Sequence, residues 1–146
     1  MRTSDDTPEQ VAALLEGIVR RQRRVSWEQL GSLGVTPAQV RVLRTLRRAH
    51  GAIRISDLAG RLGIVPRSAT SVVDDLEAAG LVARTPDPDD RRATLVALTS
   101  AGEKTLAAVR RSNRDATVAL VQRLELRERE ELLRLLRQLA PEDVFD

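Results

Sequence analysis

The chain has 146 residues, enough for one compact domain or for a small domain carrying dimerising extensions. It is 42% hydrophobic and 31% charged, in the range of a soluble helix-rich globule, and it contains no cysteine, which excludes disulfides, thiolate metal sites and cysteine redox sensing. The net charge is +3, Lys104 is the sole lysine among 24 basic side chains, and the single histidine, His50, cannot build a metal cluster. Met1-Arg2-Thr3-Ser4-Asp5-Asp6 lacks the apolar core of a signal peptide. No apolar run approaches the roughly 20 residues of a membrane span. A cytoplasmic location with no membrane association is therefore expected.

Thr7-Pro8-Glu9-Gln10 signals a helix start, with Thr7 as cap, Pro8 at the first helical position and Gln10 completing a capping box. Val11, Leu14, Leu15, Ile18 and Val19 then recur at helical spacing, and the helix is expected to reach about Leu30, before Gly31 and Gly34. Arg20, Arg21, Arg23 and Arg24 read as its charged face. Thr36-Pro37-Ala38-Gln39 repeats the start signal. Val42, Leu43, Leu46 and Ala49 would be buried there, with Arg41, Arg44 and Arg48 on an opposite, solvated side and Gly51 as the stop. Ile53-Arg54-Ile55 has room only for a small strand.

Ser56-Asp57-Leu58-Ala59 opens a short helix that ends near Gly63, and a second runs from Pro66 to Ala79, before Gly80. Two strands follow, Leu81 to Arg84 and Thr94 to Leu98, around the turn-rich stretch Pro86-Asp87-Pro88-Asp89-Asp90-Arg91-Arg92. With the strand at Ile53 they should make a three-stranded sheet. Helix, tight turn, helix and ribbon in this order describe a winged helix-turn-helix, a module that reads duplex DNA. In the Pro66 helix, Ala69, Val72, Val73 and Leu76 fall on one face, which turns Arg67, Ser71, Asp74 and Asp75 outward with Ser68 and Thr70 on the shoulders. A major groove about 12 Å wide accepts such a helix, and short hydroxyls with one long donor reach base edges.

Thr99 or Ser100 should cap a further long helix, the latter in a box with Glu103, carrying Leu106, Val109, Ala116, Leu120, Val121 and Leu124. A last helix bears Leu132, Leu135, Leu136 and Leu139 and is closed by Pro141. The first helix and these two are too apolar to stand bare, and burial against a twin subunit is expected. The fold class is mainly α with a small three-stranded β wing. Residues 1–146 form a single domain, in which 7–30 and 100–140 are dimerisation helices around a winged-helix DNA-binding lobe at 36–99.

Val35-Thr36-Pro37-Ala38-Gln39, Leu58-Ala59 with Leu62-Gly63, Ala69-Thr70, Asp74-Asp75-Leu76-Glu77, Gly80-Leu81-Val82 and Asp90-Arg91-Arg92 with Leu98-Thr99 and Gly102 together resemble a MarR-type transcriptional regulator. The resemblance implies a homodimer on pseudo-palindromic DNA, a repressor released by a small organic effector that binds between the dimer helices and the DNA lobe. It implies major-groove contacts from Arg67, Ser68, Thr70 and Ser71, and a minor-groove Arg92 oriented by Asp90, with Arg91 on a phosphate. A planar cation suits a narrow, strongly negative minor groove. Ser71 and Asp75 stand where basic residues are common in that family, and Arg127 where the last helix usually has a Ser or Thr cap. The effector site is not defined; Trp27 is the one candidate for stacking on such a molecule.

Two other readings have their own motivation. From Gly51 to Thr99, Arg54, Arg61, Arg67, Arg84, Arg91 and Arg92 are outnumbered by Asp57, Asp74, Asp75, Glu77, Asp87, Asp89 and Asp90. A slightly acidic lobe suits a winged-helix protein-interaction module that does not bind DNA. An enzyme is disfavoured, since the chain has no cysteine, no tyrosine, one histidine and no glycine-rich phosphate loop. No catalytic residue, metal site or cofactor is expected.

Overall fold

The computed structural model describes residues 6–140. The expectations placed on Met1 to Asp5 and on Pro141 lie outside the described residues. Six helices and three strands follow in the order α1 (Thr7–Ser32), α2 (Pro37–Arg48), β1 (Ile53–Arg54), α3 (Ile55–Leu62), α4 (Pro66–Ala78), β2 (Val82–Pro86), β3 (Thr94–Leu98), α5 (Ser100–Val121) and α6 (Leu126–Leu139). The sheet order is β1-β3-β2, antiparallel throughout, with Ile53 opposite Val96 and Arg84 opposite the same residue from the other side. This is the expected winged helix-turn-helix with long terminal helices.

Local chemistry explains most boundaries and corrects several expectations. Asp6, not Thr7, is the cap residue of α1, and it makes no side-chain cap bond; Thr7 is already helical, so the expected box with Gln10 does not form. The helix also runs two residues past Leu30, through Gly31. At α2 the box is complete: the Gln39 amide donates to Thr36 Oγ1 and the Gln39 side chain accepts from the Thr36 N–H. That helix stops at His50, whose φ is 53°, one residue earlier than the expected glycine stop. Ala49 is the C-cap and only half-buried, while Val40, not singled out from the sequence, is buried.

The strand β1 loses Ile55, which starts α3 one residue before Ser56. Gly63 ends α3 in the left-handed conformation at φ 65°. Thr99 caps α5, so Ser100 is the first helical residue and the Ser100–Glu103 box is absent. Leu124 falls in the turn after α5. The α6 cap is Glu125, closing a box with Glu128; Arg127 lies inside the helix. The cap position read at Arg127 lies two residues past the actual cap.

The core belongs to the lobe. Leu43, Leu46, Leu58, Leu76, Val73 and Val96 are fully enclosed, and Leu106 and Val109 of α5 close the same cluster from outside the lobe. Each such aliphatic side chain stabilises the fold by about 1.5–3 kcal/mol. One close approach fixes how α5 leaves the sheet. Thr99 Oγ1 donates to the Gly80 carbonyl at 2.7 Å and its N–H to the Leu81 carbonyl at 3.1 Å. A Cβ on Gly102 would come within 2.1 Å of that Leu81 oxygen, so only glycine fits there. The terminal helices differ. Leu14, Leu126 and Leu139 are 68%, 64% and 71% exposed, and no residue of α6 is buried.

Candidate nucleic-acid interface

α4 is oriented by its buried side, where Ala69, Val73 and Leu76 enter the core and Val72 is half-buried. This leaves Arg67, Ser68 and Ser71 exposed on the N-terminal half. Pro66 stands in the first turn, where its missing N–H costs nothing. Thr70 behaves differently from the expected set. It is half-buried, and its hydroxyl donates to the Pro66 carbonyl at 3.0 Å. With its proton engaged, Thr70 can only accept from a base or phosphate partner through that oxygen.

The C-terminal half of α4 carries the acidic residues that count against DNA. Two of them are taken up within the lobe: Arg84 of β2 donates to Asp74 Oδ1 at 2.6 Å and to Glu77 Oε2 at 2.5 Å. Burial works against the Arg84 charge, but the two carboxylates outweigh it and hold the guanidinium above its ordinary pKa. The same fork ties α4 to the wing.

The wing tip is a built turn. Asp87 is 6% exposed and accepts from Arg54 Nε of β1 at 2.6 Å and from the Asp89 N–H at 2.9 Å. The Asp89 amide bond and the Arg54 partner hold its carboxyl below the ordinary carboxylate value. Asp87 N–H donates to the Ala93 carbonyl, and Ala93 N–H to the Asp90 carbonyl, which close the loop. Asp90 Oδ1 accepts from the Arg92 backbone N–H at 3.0 Å. Asp90 thus fixes the backbone from which Arg92 projects. Arg91 and Arg92 are exposed and have no ion-pair partner among the described residues.

The expected contact residues therefore fall into two clusters, Arg67, Ser68 and Ser71 on α4 and Asp90, Arg91 and Arg92 on the tip, with Arg84 bracing one element to the other. Sequence reasoning missed Arg54, Asp87 and Arg84. Asp87 sat in a run of aspartates, and nothing in the spacing singled out the one that turns inward.

Trp27 lies elsewhere. It is 63% exposed on α1 and lines a cleft of about 870 Å³ between α1, α2 and α5, also walled by Leu30, Val40, Val109 and Leu120. Arg41, Arg44 and Arg48 line it too and remain exposed, so the expected solvated face borders this concavity. Arg41 is further committed, as its Nη2 donates to the Leu62 carbonyl at the end of α3. Among the described residues, no group of three or more His, Cys, Asp or Glu side chains is placed to hold a metal, and no helix is long and apolar enough to cross a membrane.

Fold and surface define a winged helix-turn-helix protein. A model of the MarR family matches residues 35–94. The chain is 30% identical over 141 residues to the HTH-type transcriptional repressor NicR of Pseudomonas putida, covering 97% of this chain and 89% of that protein. It is 32% identical over 103 residues to the HTH-type transcriptional repressor MdtR of Bacillus subtilis, covering 70% of this chain and 66% of the relative. The crystal structure of YusO from Bacillus subtilis superposes with a TM-score of 0.79 at 26% identity, over 94% of this chain and 97% of that one. The chain belongs to the MarR family, whose members found here are regulators of transcription and not enzymes.

Proposed function

We propose that the chain is a homodimeric, DNA-binding transcriptional repressor that grips a pseudo-palindromic operator and is released by a small-molecule effector. Each subunit lays α4 in the major groove, with Arg67, Ser68 and Ser71 toward base edges and Thr70 as an acceptor. The wing enters the neighbouring minor groove with Arg92, and Arg91 meets a phosphate. Two-fold symmetry sets the half-sites about one helical turn apart, roughly 10 bp, or a multiple of it.

The observation that carries this reading is the sorting of charge in the lobe. Asp74, Glu77 and Asp87 are consumed by Arg84 and Arg54, whereas Arg67, Arg91 and Arg92 point to solvent without acidic partners among the described residues. A lobe that is slightly acidic by count therefore offers its unpaired arginines on the two elements that would meet DNA. The exposed leucines of α1 and α6 support the dimer, and the cleft between terminal helices and lobe supports a site for an effector.

The test is a titration of a genomic fragment selected by the purified protein, repeated across salt concentrations. Affinity should fall steeply as salt rises, because neutralised phosphates release counterions. A flat response, or no fragment selected, would favour the protein-interaction module that the acidic count suggests.

A further inference from the structure

The carboxylates of α4 are not equivalent. Arg84 neutralises Asp74 and Glu77, while Asp75 is exposed and its side chain has no hydrogen bond or ion pair among the described residues. Ser68, Ser71 and Asp75 follow one another at spacings of three and four, so they share one side of the helix, next to Arg67 and away from the buried Ala69, Val73 and Leu76. Thr70, Asp74 and Glu77 make the other shoulder, where Arg84 of β2 engages the two acids. The outward surface of α4 therefore carries a free cation at its start and a free anion about two turns later, roughly 12 Å along the axis.

Such an anion is a liability toward DNA in general, since it is repelled by phosphates whatever the sequence. Within the major groove its reward is narrow. A carboxylate only accepts hydrogen bonds. Guanine offers it two acceptors, and thymine an acceptor and a methyl group. Adenine offers a donor beside an acceptor. Cytosine, whose own groove edge presents the N4 amino donor and no acceptor, suits it best.

We propose that Asp75 is a specificity-determining residue, which accepts from the N4 amino group of one cytosine in each half-site. Arg67 at the start of the helix supplies the opposite polarity, a fork of donors for guanine N7 and O6. Together they set a pattern for the operator: a guanine and a cytosine read about three or four base-pair steps apart, the distance that the rise between the two residues spans. Asp75 withholds affinity from sequences that lack the amino group, and what it adds is selectivity rather than strength. The inference rests on the DNA-binding reading, and the two fail in distinguishable ways.

The test is a fluorescence titration of the duplex selected by the purified protein, with each base pair of both half-sites replaced in turn, for the unaltered protein, Asp75→Ala and Asp75→Asn. Position 75 is exposed and alanine is the better helix former, so the fold should be retained. The unaltered protein should lose about tenfold or more in affinity when one particular cytosine is replaced. That position should be distinct from the guanine whose replacement no longer matters in Arg67→Ala. Asp75→Ala should erase the cytosine preference and bind an unrelated duplex more tightly. Asp75→Asn, whose amide both donates and accepts, should move the preference to adenine. An equal gain by Asp75→Ala on every duplex, with the base preferences intact, would make Asp75 a mere repeller of phosphates and overturn the proposal. Unchanged binding to every duplex would overturn it too. Either result leaves the DNA-binding reading in place. If the unaltered protein selects no duplex, that reading falls and takes the proposal with it.

Discussion

The lobe and the terminal helices of this chain use the same aliphatic residues to opposite ends. In α4, Leu76 and Val73 are fully buried by neighbours from their own chain. In α6, Leu133, Leu136 and Leu139 sit on an equally regular helix and remain open. The lobe core is closed within one chain, because Leu30 of α1 and Leu106 and Val109 of α5 complete what the helix-turn-helix and small sheet enclose. The terminal helices are long and few, and a layer of that shape buries its apolar stripe only against another layer. A chain that keeps such a stripe is specified for a partner of matching shape, and a second copy supplies one by symmetry.

The largest effect should come from charging the open layer. Leu133→Glu combined with Leu136→Glu should give a monomer in sedimentation and lower operator affinity by about 10²–10⁴-fold, since two lobes no longer bind together. A variant that stays dimeric would show that α6 is not part of the assembly surface. Next is Leu76→Ala in the closed core, expected to cost about 2–5 kcal/mol in chemical denaturation. Its core contacts lie within one subunit, so the loss should appear at every protein concentration, whereas the α6 pair should matter most when dilute.

A smaller effect isolates the wing from both layers. Arg92→Ala should weaken operator binding by about 1–3 kcal/mol in a fluorescence titration and leave thermal stability unchanged. Unchanged affinity would remove the wing from recognition. The smallest concerns the wing's anchor. The Asp87 carboxyl is held below its ordinary value near 3.8, chiefly by the Asp89 amide and then by Arg54. A depressed carboxyl contributes stability that is fully present above that ordinary value and is lost as pH falls through the lowered one. Asp87→Asn should therefore flatten the acid end of the stability–pH curve and leave its shape near neutrality alone.

How far the sequence reached differs between the two regions as well. Helix-turn-helix, glycine stop and returning ribbon were all legible around Gly63 and Gly80, because Gly at a left-handed position and a 3.6-residue stripe are local signals. Thr36 was read correctly as a cap because its box lies within four residues. Thr7 is one position away from the actual cap, Asp6, and at α5 the sequence left Thr99 and Ser100 open until the fold selected Thr99, since neighbouring polar residues can serve equally and only the path of the incoming chain decides. Glu125 went unnoticed because glutamate is a less usual cap than Ser or Thr. At the candidate site, the outward face of α4 followed from its stripe. The intramolecular engagement of Thr70, Asp74, Glu77 and Asp87 did not, because each depends on a group brought near only by tertiary folding or by the helix itself. The arginines of α2 were placed on one face correctly, but that the face borders a cleft depends on where α1 and α5 lie.

The seat of α5 on the sheet has a mechanical corollary. Thr99 is bonded to both Gly80 and Leu81, and Gly102 rests against the Leu81 carbonyl with no room for a methyl group. There is no slack at this elbow. Any swing of the long helix must carry the root of the wing with it, and a single added carbon at position 102 would act as a wedge, resetting the stance of the whole arm without touching α4 or the wing tip.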